Sequence, residues 1–256
     1  MLKVLVACEE SQRVCTAFRE LGHEAYSADI QEPSGGHPEW HILGDVLEVL
    51  NPKDHLGDFE APDRYISFHT MDGSYHEVEQ WDIIIAHPPC THLAVSGARW
   101  FKEGVKPRYL QDQAADFFMK FVNAECEHIA VENPVCIMST RYRKPDQIIN
   151  PWQFGHLEQK KTCLWLKNLP KLQETNNVYE EMMKLPEKER AKCWWLGSNH
   201  SKERSKTYFG IAAAIAAQWS EYVENSTQLV DKVYNKSGLC VNKNPISLSY
   251  DEPIKG

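Results

Sequence analysis

No glycine occurs among the first 21 residues, no CxxC pair among the eight cysteines, and no excess of basic over acidic residues in the chain. Each absence excludes something. Cys126 lies near His128 and Cys90 near His92, but neither has a second pair at ligand spacing, so a structural zinc site and other metals are not expected. The thiols, at positions 8, 15, 90, 126, 136, 163, 193 and 240, read as reduced and mostly buried. No apolar run approaches the roughly 20 residues that span a bilayer, so no membrane association is expected. The start, MLKVLVACEESQ, is too briefly apolar and then too acidic for a secretion signal, which predicts a cytoplasmic protein. Internal repeats and low-complexity tracts are also missing.

The formal net charge is −8, from 28 Lys and Arg against 36 Asp and Glu. Phosphate neutralisation supplies most nonspecific nucleic-acid affinity, so a uniformly basic binding face is excluded. Any such contact must come from local clusters. Arg141–Tyr142–Arg143–Lys144, Lys160–Lys161 and Lys202–Glu203–Arg204–Ser205–Lys206 are the candidates, and each taken alone reads better as solvated surface.

What is present is an ordinary globular composition: 256 residues, 42% hydrophobic and 25% charged, enough for one full-sized domain. Short apolar runs alternate with amphipathic stretches. Residues 3–7 predict a strand, 13–21 a helix ended by Gly22, 23–28 a strand closing on Asp29, and 41–46 a third short segment. Residues 81–86, with three consecutive isoleucines, predict the most buried strand. A helix over 111–124 and a strand from His128 follow. This alternation predicts an α/β fold with a doubly wound, mostly parallel sheet covered on both faces. Between 57 and 80 a β-hairpin turning at Asp72-Gly73 reads as an insertion. Residues 168–202 differ in kind, being polar and charged around Trp194-Trp195. Residues 207–223 predict a helix of small residues, and 225–256 a loosely attached tail.

In doubly wound sheets, ligands bind beyond the carboxyl ends of the strands. Five features fall there: the loop Cys8–Gln12, Asp29, Asp45, Pro88-Pro89-Cys90, and Glu132-Asn133-Pro134. Acids after the second and third strands suit ribose hydroxyls and an adenine amine, though Asp is also a common turn residue. A thiol can attack an electron-poor ring carbon while a carboxyl balances charge on a ring nitrogen. Two prolines fix the backbone before that thiol. Cys90 alone reads equally as a small buried residue, and Glu132 alone as a turn cap; behind Pro-Pro and before Asn-Pro they read together as a reactive pair. His87 and His92 flank the thiol, where each could tune it or simply pack.

The ordered set VLVACEES, SADI, GDV, IAHPPC, VENP, QKKTCLWL and ERSKTYFGIAAAIA resembles the cytosine-C5 DNA methyltransferases, particularly short phage-type members. The resemblance covers residues 3–167 and 203–219. It implies the S-adenosylmethionine-dependent methyltransferase version of the Rossmann-like fold, with a catalytic domain over 1–167 and 203–224 and a small target-recognition segment over 168–202. It implies that Cys90 adds to C6 of a flipped-out cytosine and that Glu132, beside Asn133, holds N3 and the exocyclic amine. Asp29 and Ile30, Asp45 and Val46, and Pro88 would line the S-adenosylmethionine site, with Ala7, Cys8, Glu9 and Ser11 approaching its methionine end. Lys161 would take over a contact to the flipped base from the family's glutamine–arginine–arginine element, represented here by Gln159, Lys160 and Lys161. The first loop departs from the family in having no glycine. The stretch between QKKTCLWL and the last helix is too short for the recognition domain of longer relatives. Two rivals stand beside DNA methylation: thiol chemistry on a free pyrimidine nucleotide, and a non-catalytic binder of nucleotide or nucleic acid.

Overall fold

The computed structural model describes residues 1–55, 63–196 and 200–237. Two compact units divide the chain, Met1–Glu224 and Asn225–Gly256. The first carries a seven-stranded sheet. Its elements begin with β1 (Lys3–Ala7), α1 (Arg13–Glu20), β2 (Glu24–Asp29) and β3 (His41–Leu43). Then come β4 (Lys53–His55), β5 (Asp63–His69), β6 (Tyr75–Val78), β7 (Ile83–Ala86), α2 (Ala98–Lys102) and α3 (Tyr109–Val122). After β8 (His128–Pro134) follow α4 (Met138–Arg141), β9 (Gln147–Ile149) and β10 (Thr162–Lys167). Four short helices, α5 (Tyr179–Met183), α6 (Glu187–Arg190), α7 (Lys192–Trp195) and α8 (Ser201–Ser205), precede α9 (Phe209–Ser237).

The sheet order is β3-β2-β1-β7-β8-β10-β9. From β3 through β8 every pairing is parallel; β10 runs antiparallel to both β8 and β9. The alternation of apolar runs and helices thus yields a mostly parallel α/β sheet. The antiparallel β9–β10 edge carried no sequence signal, because pairing direction depends on how the connecting chain returns rather than on the strand itself.

Period-two alternation sends each strand's side chains to two separate cores. On one face, Leu5, Ala7, Ile84 and Ala86 pack with Phe118 and Phe121 of α3 and with Trp165. On the other, Val4, Val6, Ile83 and Ile85 pack with Val14 and Phe18 of α1 and with Ile211, Ile215 and Trp219 of α9. Each Val, Leu, Ile or Phe among them stabilises the fold by about 1.5–3 kcal/mol on burial. Strands apolar on both sides have this two-layer covering as their stable arrangement.

Gly22 ends α1 with φ +83°, its N–H donating to the Arg19 carbonyl at 2.9 Å. The hairpin turns at Asp72-Gly73 with Ile66 opposite Val78 and His69 opposite Tyr75. It is joined by β4 into a three-stranded sheet. Its inner side packs Phe68 against Tyr26 and Trp81, and the Met71 N–H donates to the carbonyls of Pro38 and His41. The hairpin therefore covers the core and buttresses the approach to β3. Residues 57–62 of the anticipated insertion lie outside the described residues. The second compact unit begins at Asn225, where the tail was expected; α9 runs on to Ser237, through residues that include no Gly or Pro to stop a helix. Positions 238–256, Cys240 among them, lie outside the described residues. No helix among the described residues is long and apolar enough to cross a membrane.

Candidate active site

The parallel register of β7 and β8 sets Ala86 beside Val131. One residue further along each strand, His87 stands beside Glu132, and the His87 Nδ1 to Glu132 Oε2 distance is 3.0 Å. Three residues beyond His87, Cys90 is solvent-exposed, unlike the buried Cys15, Cys126, Cys136 and Cys163. Most of the described thiols are buried or partly so, as expected, and Cys90 is the exposed one among them. Pro88 is buried beneath it. Asn133, itself buried, donates from Nδ2 to the Pro88 carbonyl at 2.7 Å. Asn133 thus clamps the proline turn to β8 and acts on the thiol by positioning it.

Backbone bonds complete the mount. The Cys90 carbonyl accepts from the N–H groups of Leu93 (3.0 Å) and Ala94 (2.9 Å). Val95 N–H donates to the Val135 carbonyl and Ile137 N–H to the Leu93 carbonyl. The segments after Cys90 and after Glu132 are in this way stitched together, which fixes the distance between the two reactive groups.

Protein packed around the sulfur raises the Cys90 thiol pKa, and the Glu132 charge raises it further, with Lys160 and Arg204 pulling it down. Burial also pushes Glu132 upward, but the hydrogen bond and charge of His87, aided by Lys160, hold it below the usual carboxylate range. Lys160 acts on His87, Glu132 and Cys90 alike. It also donates from Nζ to the Arg204 carbonyl at 2.8 Å. Lys161 is exposed and acts on Cys163 instead. Of the two lysines, Lys160 is therefore the one whose charge reaches the Cys90–Glu132 pair. Neighbours on an extended chain point to opposite sides, so the choice between them rests on how β10 meets β8, which the motif alone does not carry.

A second group of residues surrounds the ends of β1, β2 and β3. Cys8 and Gln12 both adopt positive φ, 59° and 56°. That is the left-handed region where glycine is at home, and non-glycine residues held there cluster at functional sites. The glycine-free loop keeps a glycine-like backbone at these two positions. Buried Gln12 secures it, donating to the His37 carbonyl at 2.8 Å and accepting from His37 N–H at 3.1 Å. Asp29 and Asp45 both act electrostatically on Cys8, after burial, in raising its thiol pKa. The three groups therefore lie close enough to feel one another's charge.

Asp29 Oδ1 accepts from Gln31 N–H (2.9 Å) and Asp45 Oδ1 from Leu47 N–H (3.0 Å). Among the described residues, the second oxygen of each carboxylate makes no hydrogen bond. Ile30 is 79% exposed beside them, while Val46 and Ala7 are buried beneath. Two half-free carboxylates and an exposed isoleucine suit a ligand with a diol, an amine and a flat apolar face. Glu9 has a different partner from the one anticipated. Its carboxylate turns inward and accepts from Val14 N–H (2.7 Å), Cys15 N–H (3.2 Å) and Ser11 Oγ (3.4 Å). It caps α1, where the preceding Gln12 makes no side-chain cap, and Ser11 serves Glu9.

Lys160 and His87 are the site residues that the motif reading did not single out. The flanking position of His87 was visible, whereas its pairing needed the register of two strands 45 residues apart. No family model matches the chain, and neither does any curated protein.

Proposed function

We propose that this chain is an S-adenosylmethionine-dependent DNA cytosine-C5 methyltransferase of short phage type, working in bacterial or phage-infected cytoplasm. One observation carries the reading: an exposed thiol on a rigid turn and a half-buried carboxylate on the next strand, both on the sheet edge that also bears Asp29 and Asp45. The motif resemblance supports the methyltransferase version of this α/β fold.

In this reading Cys90 adds to C6 of a cytosine turned out of its stack. Electron density moves toward C5 and N3, where Glu132 holds the ring nitrogen and accepts from the exocyclic amine. Loss of the C5 proton then expels the sulfur. The raised thiol pKa means that Cys90 is mostly protonated when alone, so the cationic charge of Lys160 helps to form the thiolate. S-adenosylmethionine, when bound, supplies an electrophilic methyl group. Asp29 and Asp45 would hold its ribose and adenine, with Ile30 and Val46 as apolar neighbours and Cys8 closing the recess. The donor set fits this ligand, since both carboxylates keep an oxygen for hydroxyl or amine donors.

Residues 168–202 are the proposed DNA-reading segment. Trp194 and Trp195 are 75% and 59% exposed, and Lys188 Nζ lies 5.4 Å over the Trp195 ring. Exposed aromatics interleaved with lysines suit stacking against bases beside phosphate. A second reading, the same thiol chemistry on a free pyrimidine nucleotide, is favoured by the net charge of −8.

The deciding experiment incubates the protein with labelled S-adenosylmethionine and, separately, duplex DNA, single-stranded DNA and cytidine nucleotides, and looks for 5-methylcytosine by mass spectrometry. Product on DNA is expected, abolished by Cys90→Ser. Product on nucleotides alone would transfer the assignment to the second reading. Absence of product from all of them would overturn both.

A further inference from the structure

His87 has no part in the reading above, yet its surroundings are unusual for a packing residue. Nδ1 is engaged with Glu132 Oε2 at 3.0 Å, while Nε2 is buried with no hydrogen-bond partner among the described residues. Its backbone N–H donates to the Ala7 carbonyl at 2.9 Å, which fixes the ring between the first loop and β8. The charged groups facing it come from three elements: Glu132 on β8, Glu9 in the loop after β1, and Lys160 ahead of β10.

Resting on the cytosine-C5 reading, we propose that His87 is a positioning residue that orients Glu132 and stores the proton Glu132 delivers to N3 of the pyrimidine. Glu132 must donate a hydrogen to N3, because cytosine N3 carries none. A carboxylate paired to an imidazolium holds no proton of its own to give. Burial works against a charged imidazole, but the hydrogen bond and charge of Glu132, with the charge of Glu9, leave His87 more basic than an ordinary histidine. Glu132 correspondingly sits below the usual carboxylate range. The 3.0 Å Nδ1–Oε2 contact lets one proton pass between the two groups, with the raised basicity of His87 favouring the imidazole.

The step balances. The Cys90 thiol gives its proton to solvent, its sulfur pair forms the S–C6 bond, and the C5=C6 π pair shifts through the ring toward N3. N3 takes a proton from Glu132, which His87 Nδ1 replaces. C5 would then take the methyl group of S-adenosylmethionine, the broken C–S pair staying on the departing neutral thioether. When solvent takes the C5 proton, that C–H pair re-forms C5=C6, the S–C6 pair returns to the Cys90 sulfur, and N3 returns its proton through Glu132 to His87. The pair ends as it began.

The test uses the full chain, bulk unmethylated DNA and labelled S-adenosylmethionine, with kcat measured from pH 5.5 to 9.5. His87→Gln keeps an amide donor beside Glu132 without a titrating proton. A loss of about 10²-fold in kcat, with KM little changed, is expected. In the wild type, the alkaline limb should coincide with the His87 titration followed by imidazole NMR. That titration should fall to lower pH in Glu132→Gln, and the limb should leave its wild-type position in His87→Gln. A limb that stays in place in His87→Gln, or a His87 titration indifferent to Glu132→Gln, would overturn the inference alone. If His87→Gln fails to fold, His87→Asn and the wild-type NMR comparison decide it. Wild-type inactivity on every DNA and nucleotide would overturn the cytosine-C5 reading itself and this inference with it.

Discussion

Replacing Glu9 by Ala tests whether the first loop is built around a cap or around a ligand. In the structure the Glu9 carboxylate, 4% exposed, is the acceptor for two first-turn N–H groups of α1, Val14 at 2.7 Å and Cys15 at 3.2 Å. Truncation leaves both donors buried without partners. Each orphaned donor costs about 1–3 kcal/mol, and loss of a helix N-cap about 0.5–2 kcal/mol. These overlap, and removing a buried carboxylate returns part of its desolvation, so a net loss of roughly 2–3 kcal/mol is expected. For a unit of this size each kcal/mol lowers Tm by about 2–4 °C, giving a drop of roughly 5–10 °C by circular dichroism. The pH dependence adds a sign. Burial pushes the Glu9 carboxyl up, outweighing His87 and the hydrogen bonds that pull it down. A carboxyl with a raised folded pKa stabilises fully below the unfolded Glu range and loses that contribution as pH climbs through the folded value. The gap between wild type and Glu9→Ala should therefore be widest near pH 4 and narrower near pH 8. An unchanged Tm with lost S-adenosylmethionine binding would refute the cap and restore Glu9 as a ligand.

Three further outcomes are expected. Lys160→Met should slow iodoacetamide alkylation of Cys90 at pH 8 by roughly two- to fivefold through a higher thiol pKa, while Lys161→Met leaves it unchanged; equal effects would undo the choice of Lys160. Gly210→Ala should destabilise by about 3 kcal/mol or leave the chain unfolded on thermal denaturation, because a Cβ there would lie 1.9 Å from the Phe154 carbonyl oxygen; a wild-type Tm would show that α9 and residue 154 can part freely. Asn133→Ala should cost about 1–3 kcal/mol in urea unfolding by orphaning the buried Pro88 carbonyl, with Cys90 alkylation altered alongside; an unchanged midpoint would remove Asn133 as the clamp.

Much of the scaffold was legible in the order of residues. Three isoleucines before a polar turn, Gly22 after an amphipathic stretch, and Asp72-Gly73 between alternating runs act within a few positions of themselves. Local sterics and period-two or 3.6-residue burial decide such elements before the chain closes. The same holds for Pro88-Pro89, whose rings stiffen the turn ahead of Cys90 wherever it sits. The antiparallel β9–β10 edge was not legible, since pairing direction depends on how the connecting chain returns.

The site divides along the same line. Residue types settled that a thiol, a carboxylate and two acids would stand at strand ends. Only tertiary structure decided that His87 faces Glu132, that Lys160 rather than Lys161 faces the thiol, and that Glu9 turns inward to α1. Each is a question of which way a side chain points once strands far apart in the chain lie side by side. A shift of one residue in register reverses every such direction, so these pairings belong to the assembled sheet and to no motif within it.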